Sequence, residues 1–210
     1  MLCSLRKEAR LRANGYVSPA GVDEAGRGCL FGPVSAAAVI LPQRCRIAGI
    51  RDSKTVPYEE RLTLAQQIRA EAIAYSVAFA SVEEIREINI LQASRLAMLR
   101  AVQALQPQPD FLLVDFVTLD THIPQDNIVK GDSISKSIAA ASILAKVERD
   151  LLLEELHQRF PHYGLASNKG YGTPDHLAAL RKYGPTPEHR HDFAPVREVM
   201  YLLQQQELEL

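Results

Sequence analysis

The sequence predicts an α/β protein with a central mixed β-sheet, flanking helices and a helical C-terminal extension. Two strand-length apolar runs come first, and segments with helical spacing then alternate with further short apolar runs. The chain has 210 residues, 47% hydrophobic and 23% charged, which suits one domain with a sizeable core.

The elements follow from local patterns. Two apolar runs separated by a glycine-rich segment indicate two strands joined by a turn, and the continuously apolar FLLVD run at 111–115 indicates a central strand buried on both faces. The predicted strands are 17–24, 33–41, 75–81, 111–115 and 127–130. The predicted helices are 58–74, 82–105 with a break near Asn89, 133–160, 174–183 and 197–210.

Composition excludes several classes of protein. The cysteines Cys3, Cys29 and Cys45 are odd in number and show no CxxC spacing, so neither a disulfide framework nor a zinc site is indicated. We expect reduced thiols in a cytoplasmic protein, with no membrane span and no secretory signal. The net charge of −1 means that any nucleic-acid contact must come from a local patch.

Four acidic residues occupy positions typical of an active site. Asp23 and Glu24 end the first predicted strand, Asp115 ends the central one, and Asp132 precedes the long helix. Clustered carboxylates stay ionised together only beside cations, and Mg²⁺ prefers such oxygens together with phosphate oxygens. Two ions about 4 Å apart would suit phosphodiester hydrolysis.

Ordinary structural roles compete with this interpretation. Asp-Glu pairs are common on solvated surfaces, and Asp132 could cap the helix, with Ser133 competing for that role. Asp23 and Glu24 reach one site only if the strand ends or bulges there, because successive side chains alternate between faces. Asp150 lies 18 residues beyond Asp132 on one predicted helix, roughly 27 Å away, and is interpreted as structural.

Three loops could contact a ligand. Gly26-Arg27-Gly28 could hold a phosphate or approach a sugar, whereas the G-x-G-x-x-x-G spacing and the following strand do not fit a dinucleotide loop. Ser53 and Lys54 could bind a backbone phosphate at a helix start or belong to an ordinary cap. Tyr171 could stack on a nucleotide or cover the edge of the core.

Taken together, four stretches resemble the ribonuclease HII family, in the family's order and over residues 16–199. They are GVDEAGRG at 21–28, DSK at 52–54, GDS at 131–133 leading into AAASILAKV at 139–147, and KGY at 169–171. The resemblance implies a ribonuclease H-like catalytic domain over 16–199, after an N-terminal extension at 1–15 and before a tail at 200–210.

The resemblance also implies a function and a set of roles. The chain would cut the RNA strand of RNA–DNA hybrids, and would cut 5′ of single ribonucleotides in duplex DNA, leaving a 3′-hydroxyl and a 5′-phosphate. The implied cofactors are Mg²⁺ or Mn²⁺, with two ions when substrate is bound, and a monomer is expected. The metal-binding and catalytic residues would be Asp23, Glu24, Asp115 and Asp132. The substrate-binding residues would be Gly26, Arg27, Gly28, Ser53, Lys54, Lys169 and Tyr171.

Some positions depart from the family. Phe116 stands where glycine usually follows the third carboxylate, Asn168 where histidine is frequent, and Asp192 where serine is common. The alternative is therefore a catalytically impaired protein that binds RNA–DNA hybrids. A nucleotide-dependent oxidoreductase is a more distant alternative. The tail, Gln206–Leu210, faintly resembles a peptide that docks on sliding clamps.

Overall fold

The computed structural model describes residues 3–208, with side chains for residues 3–205, and contains a mixed five-stranded sheet. Its strands are β1 Pro19–Ala25, β2 Val34–Ile40, β3 Ala74–Ala80, β4 Phe111–Asp115 and β5 Gln125–Ile128. The helices are α1 Arg6–Ala13, α2 Tyr58–Glu71, α3 Val82–Gln103, α4 Lys136–Arg159, α5 Leu165–Asn168, α6 Pro174–Tyr183 and α7 Ala194–Leu208. Short 3-10 turns occupy Ser53–Thr55, Gly131–Ser133 and Pro161–Tyr163.

The order of strands across the sheet is β3-β2-β1-β4-β5. β1 runs antiparallel to β2 and parallel to β4, and β4 runs parallel to β5, so the predicted mixed sheet is confirmed. Because β1 and β4 are parallel neighbours, their carboxyl ends lie at the same edge of the sheet.

The chain forms two compact units. Unit 1 contains the segment ending at Ala25 together with Ser35–Phe79 and Ser94–Glu148, and so holds the sheet. In its core, the alanine-rich face of α4 packs with β2 and with Leu64 and Ile68 of α2. A β-carbon on Gly21 of β1 would lie 2.1 Å from the carbonyl carbon of Ser137, so glycine permits this close approach of strand and helix.

Unit 2 contains Gly26–Val34, Ala80–Ala93 and the chain from Arg149 onward. Its core has two parts, one around Phe31, Leu153 and Tyr163 and the other around Leu180 and Val196.

Most element boundaries agree with the sequence patterns to within a few residues. Helix α3 breaks at Asn89 as predicted, since that residue has φ of +66° and its side-chain oxygen accepts from Leu91 and Gln92. The predicted start of the long helix at 133 was early. Helix α4 begins at Lys136, where the hydroxyl of Ser135 accepts from the N–H of Ile138.

The sequence patterns missed helix α1, which lies in the predicted N-terminal extension. Its Glu8 is fully buried in unit 1, where one carboxylate oxygen accepts from the Ser135 hydroxyl at 2.7 Å and the Ser137 N–H at 2.9 Å. Within residues 3–208, no helix is long and apolar enough to cross a membrane.

Candidate active site

Two of the four acidic residues lie where the pairing between two neighbouring parallel strands of unit 1 ends. Val22 of β1 pairs with Val114 of β4, so Asp23 and Asp115 follow at the same edge of the sheet. Asp23 is only 4% exposed. A carboxylate so deeply buried beside other acids requires a compensating charge to remain ionised.

Asp115 also anchors the turn that carries Asp132. Its Oδ1 accepts from the N–H of Gly131 at 2.6 Å. A β-carbon on Gly131 would lie 2.5 Å from Cδ1 of Ile138 and 3.3 Å from Asp115 Oδ1, so glycine permits this approach. Neither Asp132 nor Ser133 caps helix α4, because Ser135 does, and the proposed capping role of Asp132 is therefore wrong.

Electrostatics link the four acids. Burial raises the pKa of Asp23 well above its ordinary value, and the charges of Glu24, Asp115 and Asp132 raise it further. Burial likewise raises the pKa of Asp132 to about 6, with contributions from Asp52 and Asp115, while Lys54 opposes the shift. Asp23 therefore lies within electrostatic range of the other three predicted acids.

Asp52 is an additional acid that the sequence patterns did not assign to the site. Its charge raises the pKa of Asp132, and its carboxylate accepts from the N–H of Lys54 at 2.9 Å. Its position in the DSK stretch, directly before Ser53 and Lys54, is the signal in the sequence that points to it.

Asp23 and Glu24 lie in regular β-structure, and the bulge considered as a way to align them is absent. Pairing with β2 continues without interruption through both residues to Ala25, whereas pairing with β4 stops at Val22. The backbone N–H of Glu24 donates to Asp23 Oδ1 at 2.7 Å. The strand thus ends at this point only on its β4 side.

The donor set fits a hard divalent cation. The side chains are carboxylates, the ligands that Mg²⁺ and Mn²⁺ prefer, and the pKa values of Asp23 and Asp132 are raised by burial and by the charges of the neighbouring acids. Within residues 3–208, no group of three or more His, Cys, Asp or Glu side chains stands at ligand spacing. The acids are therefore close enough to shift one another's pKa values, but their side chains are not arranged as a closed coordination sphere.

The predicted phosphate contact by Ser53 needs correction. Ser53 is 3% exposed, and its hydroxyl is hydrogen-bonded to that of Ser142 at 2.8 Å. It lies in a three-residue 3-10 turn, and helix α2 begins at Tyr58 as predicted, so Ser53 does not lie in the first turn of that helix. Lys54 is exposed and remains available to a phosphate.

In unit 2, the two glycines of the Gly26-Arg27-Gly28 stretch differ. Gly26 has φ of +93°, and a β-carbon there would lie 2.0 Å from Nε of Arg149. Gly28 is exposed, and a β-carbon there would meet nothing within 4 Å. The fold itself requires glycine at 26, whereas nothing in the described structure requires it at 28.

Two buried arginines hold this loop, and the sequence patterns did not identify either. Arg149 is fully buried and donates to the carbonyls of Phe31, Pro33 and Lys169 at 2.8–3.0 Å. Arg190 is 1% exposed and donates to the carbonyls of Arg27 and Gly32. Burial, followed by the charge of Arg149, lowers the pKa of Arg190 to about 9.

Tyr171 lies in the turn that Arg149 fixes through Lys169. Its side chain is 40% exposed, and burial, followed by the neighbouring Cys29, raises the pKa of its hydroxyl. Its carbonyl faces Nδ1 of His176 at 2.9 Å. The amine of Lys169 pairs with Glu154 at 2.5 Å, so its charge is already compensated.

The buried His189 pairs with a second histidine of unit 2, His176. Nε2 of His189 lies 3.3 Å from Nε2 of His176, and its Nδ1 accepts from the N–H of Thr186 at 3.0 Å. Burial and the neighbouring histidines lower the pKa of His189 to about 3, so its ring is neutral at pH 7, and burial lowers the pKa of His176 as well. Asn168 is also structural, since its side chain bonds Gly170 and Tyr163.

Comparison with known proteins identifies the family. The family model described as Ribonuclease HII matches residues 20–196. The chain is 53% identical over 195 residues to a Ribonuclease HII of Desulfitobacterium hafniense, covering 92% of this chain and 75% of that protein. A Ribonuclease HII of Geobacillus kaustophilus is 52% identical over 196 residues, covering 93% and 75%. The chain belongs to the ribonuclease HII family.

Solved structures support the same fold. The ribonuclease H2 of Pyrococcus horikoshii has a TM-score of 0.76 at 26% identity and covers 90% of this chain and all of that one. RNase HII of Archaeoglobus fulgidus, solved in a complex with PCNA, has a TM-score of 0.70 at 26% identity, covering 86% and 96%. Bst-RNase HIII in complex with Mn²⁺ gives 0.70 at 20% identity, covering 90% and 71%, and shows likeness of fold.

As a member of the ribonuclease HII family, the protein is a ribonuclease H, an endonuclease that hydrolyses phosphodiester bonds. The family acts on RNA–DNA hybrids and depends on divalent metal ions.

Proposed function

We propose that the protein cuts on the 5′ side of a ribonucleotide, in RNA–DNA hybrids and at single ribonucleotides in duplex DNA. The products would be a 3′-hydroxyl and a 5′-phosphate. The observation that carries the proposal is the placement of Asp23 and Asp115 on neighbouring strands at one edge of the sheet, with Glu24 next to Asp23 and Asp132 in the turn that Asp115 anchors. A phosphodiester can approach such a cluster only with cations between the acids and the phosphate.

These four acids would hold Mg²⁺ or Mn²⁺. Two ions, when bound with substrate, would supply a nucleophilic water at neutral pH and neutralise charge on the leaving 3′ oxygen. Asp115 would keep its orientation through the N–H of Gly131, and Asp132 would lie in the turn that this bond anchors. Lys54, which is exposed and within electrostatic range of Asp132, would steady a neighbouring phosphate.

The Gly26-Arg27-Gly28 loop and Tyr171 would recognise the ribonucleotide. Gly28 leaves its backbone open to a close approach, and the exposed Tyr171 ring can lie against a sugar. The protein would act as a monomer in the cytoplasm. Contact of the tail with a sliding clamp stays a prediction, because the side chains of 206–210 lie outside those described.

The test is cleavage of an end-labelled DNA duplex that contains one ribonucleotide, with an all-DNA duplex as substrate control. With Mg²⁺ or Mn²⁺, the wild type should cut only the first, and a polymerase should extend the new 3′ end. Chelator should stop the reaction. Asp23→Asn should lose cleavage while keeping its fold, and Asp120→Asn, which changes an exposed acid outside the cluster, should cut at the wild-type rate.

Retained cleavage by Asp23→Asn would refute the site. Cleavage of a hybrid with no cut at the single ribonucleotide would refute the finer part of the proposal and leave the hybrid activity standing.

A further inference from the structure

Phe116 occupies a strained position beside a predicted metal ligand. It directly follows Asp115 at the end of β4 and has φ of +59°. The N–H of Val117 donates to the carbonyl of Asp115 at 2.7 Å, so Phe116 is the central residue of a γ-turn. A γ-turn with a positive φ is the rarer and more strained of the two types, and a β-carbon makes that backbone costly.

Burial does not compensate for this strain. The Phe116 side chain is 57% exposed, whereas the adjoining Val114 and Val117 are buried. An aromatic ring stabilises a fold chiefly through the area that it removes from water. For stability alone, glycine would therefore serve better at this position.

The surroundings of Phe116 combine exposed apolar groups with positive charge. Its N–H donates to the carbonyl of Ile128 at 3.2 Å, so the next residue, Val129, emerges alongside it at 65% exposure. Lys130 follows and is exposed, and Ile134, in the turn that Asp115 anchors, is 40% exposed. We call Phe116, Val129, Lys130 and Ile134 the Phe116 edge.

We propose that Phe116 is a substrate-contacting residue whose ring packs against a sugar of the cleaved strand, within one or two nucleotides of the cut. The inference rests on the proposed function, which puts the reacting phosphate against Asp115. Adjacent Cα atoms are about 3.8 Å apart, and a strand rises about 3.4 Å per nucleotide. A side chain one residue from Asp115 thus reaches a neighbouring nucleotide.

A sugar suits this edge better than a base. The bases of a duplex are stacked inside it, whereas the wide and shallow minor groove of an A-like hybrid displays its sugars. The acids repel the backbone phosphates, so an uncharged ring can attract the strand where a carboxylate cannot. Lys130 at the rim is available to a phosphate.

Two substitutions separate contact from strain. Phe116→Ala removes the ring and keeps the strained backbone, whereas Phe116→Gly removes both. On an RNA–DNA hybrid at saturating Mg²⁺, both should raise KM by about 5- to 20-fold, with a smaller change in kcat. Phe116→Tyr, which keeps the ring, should retain the wild-type KM. Phe116→Gly should melt about 2–6 °C higher than Phe116→Ala.

Val17→Ala is the matched control, because Val17 is 75% exposed and precedes the start of β1, whereas Asp23 lies near its end. The KM of the Val17→Ala variant should equal that of the wild type. An unchanged or lower KM for both ring-free variants would overturn the inference and mark the ring as dispensable or obstructive. A wild type that cuts no hybrid would instead refute the proposed function, so the two failures are distinguishable.

Discussion

Replacing Asp132 with asparagine should stabilise the metal-free protein at neutral pH. In the folded chain its pKa is about 6, against 3.8 ordinarily, because burial and the charges of Asp52 and Asp115 disfavour ionisation. Since the folded-state pKa is raised, this group's contribution to stability is fully present below about pH 4 and is lost as the pH rises through about 6. Asparagine has no carboxyl proton to lose, so its contribution to stability does not fall as the pH rises.

The magnitude follows from the shift. About two pKa units correspond to a ceiling of about 3 kcal/mol, and solvent screening of this partly exposed side chain reduces it to about 1 kcal/mol. For a chain of this length, 1 kcal/mol moves the melting temperature by about 2–4 °C. In chelator, the Asp132→Asn variant should therefore melt about 2–4 °C above the wild type at pH 7.5 and together with it at pH 4.

Thermal unfolding followed by circular dichroism measures this difference. Asp120→Asn, the exposed control, should follow the wild type at both pH values. Saturating Mn²⁺ should raise the melting temperature of the wild type more than that of Asp132→Asn, because ligands stabilise the state that binds them. An Asp132→Asn variant that melts below the wild type at pH 7.5 in chelator would refute this reasoning, since the carboxylate would then be stabilising the fold.

Three further outcomes are expected in unit 2. Gly26→Ala should lower the melting temperature by about 4 °C or more, because its β-carbon would overlap Arg149 at positive φ. Gly28→Ala should have the melting temperature of the wild type, and in a cleavage assay it should raise KM for a ribonucleotide-containing duplex. Equal melting temperatures for Gly26→Ala and Gly28→Ala would contradict the predicted overlap with Arg149. Arg149→Met should lower the free energy of unfolding in urea by about 2–4 kcal/mol, because it leaves three carbonyls without their donor. A decrease below about 0.5 kcal/mol would contradict the stabilising role of Arg149.

The elements that sequence predicted well have strong local signals. Strand β4 is a continuously apolar run closed by Asp115, and helix α6 begins at Pro174 with Thr173 as its cap. The break of α3 at Asn89 likewise needs only residues two and three positions away. Asp23 and Asp115 could be expected to meet, because parallel strands bring their carboxyl ends to one edge.

The features that sequence did not predict depend on distant partners. In the sequence, Ser53 resembles an exposed phosphate ligand, but in the structure its hydroxyl is hydrogen-bonded to that of Ser142, 89 positions away. Helix α1 is short and polar, and its attachment depends on Glu8 reaching the start of α4. From the sequence alone, Arg149 is expected to be a solvated helix residue, because the carbonyls that it bonds lie up to 118 positions away along the chain.

Whether these acids form the metal centre can be measured by titrating the free protein with Mn²⁺ at pH 7.5, with unbound ion counted by electron paramagnetic resonance. The wild type and Asp120→Asn should bind Mn²⁺ saturably, and both Asp23→Asn and Asp132→Asn should lose this binding or bind much more weakly. Wild-type Mn²⁺ affinity and stoichiometry in those two variants would show that the ions bind elsewhere, and would contradict the claim that these acids form the metal centre.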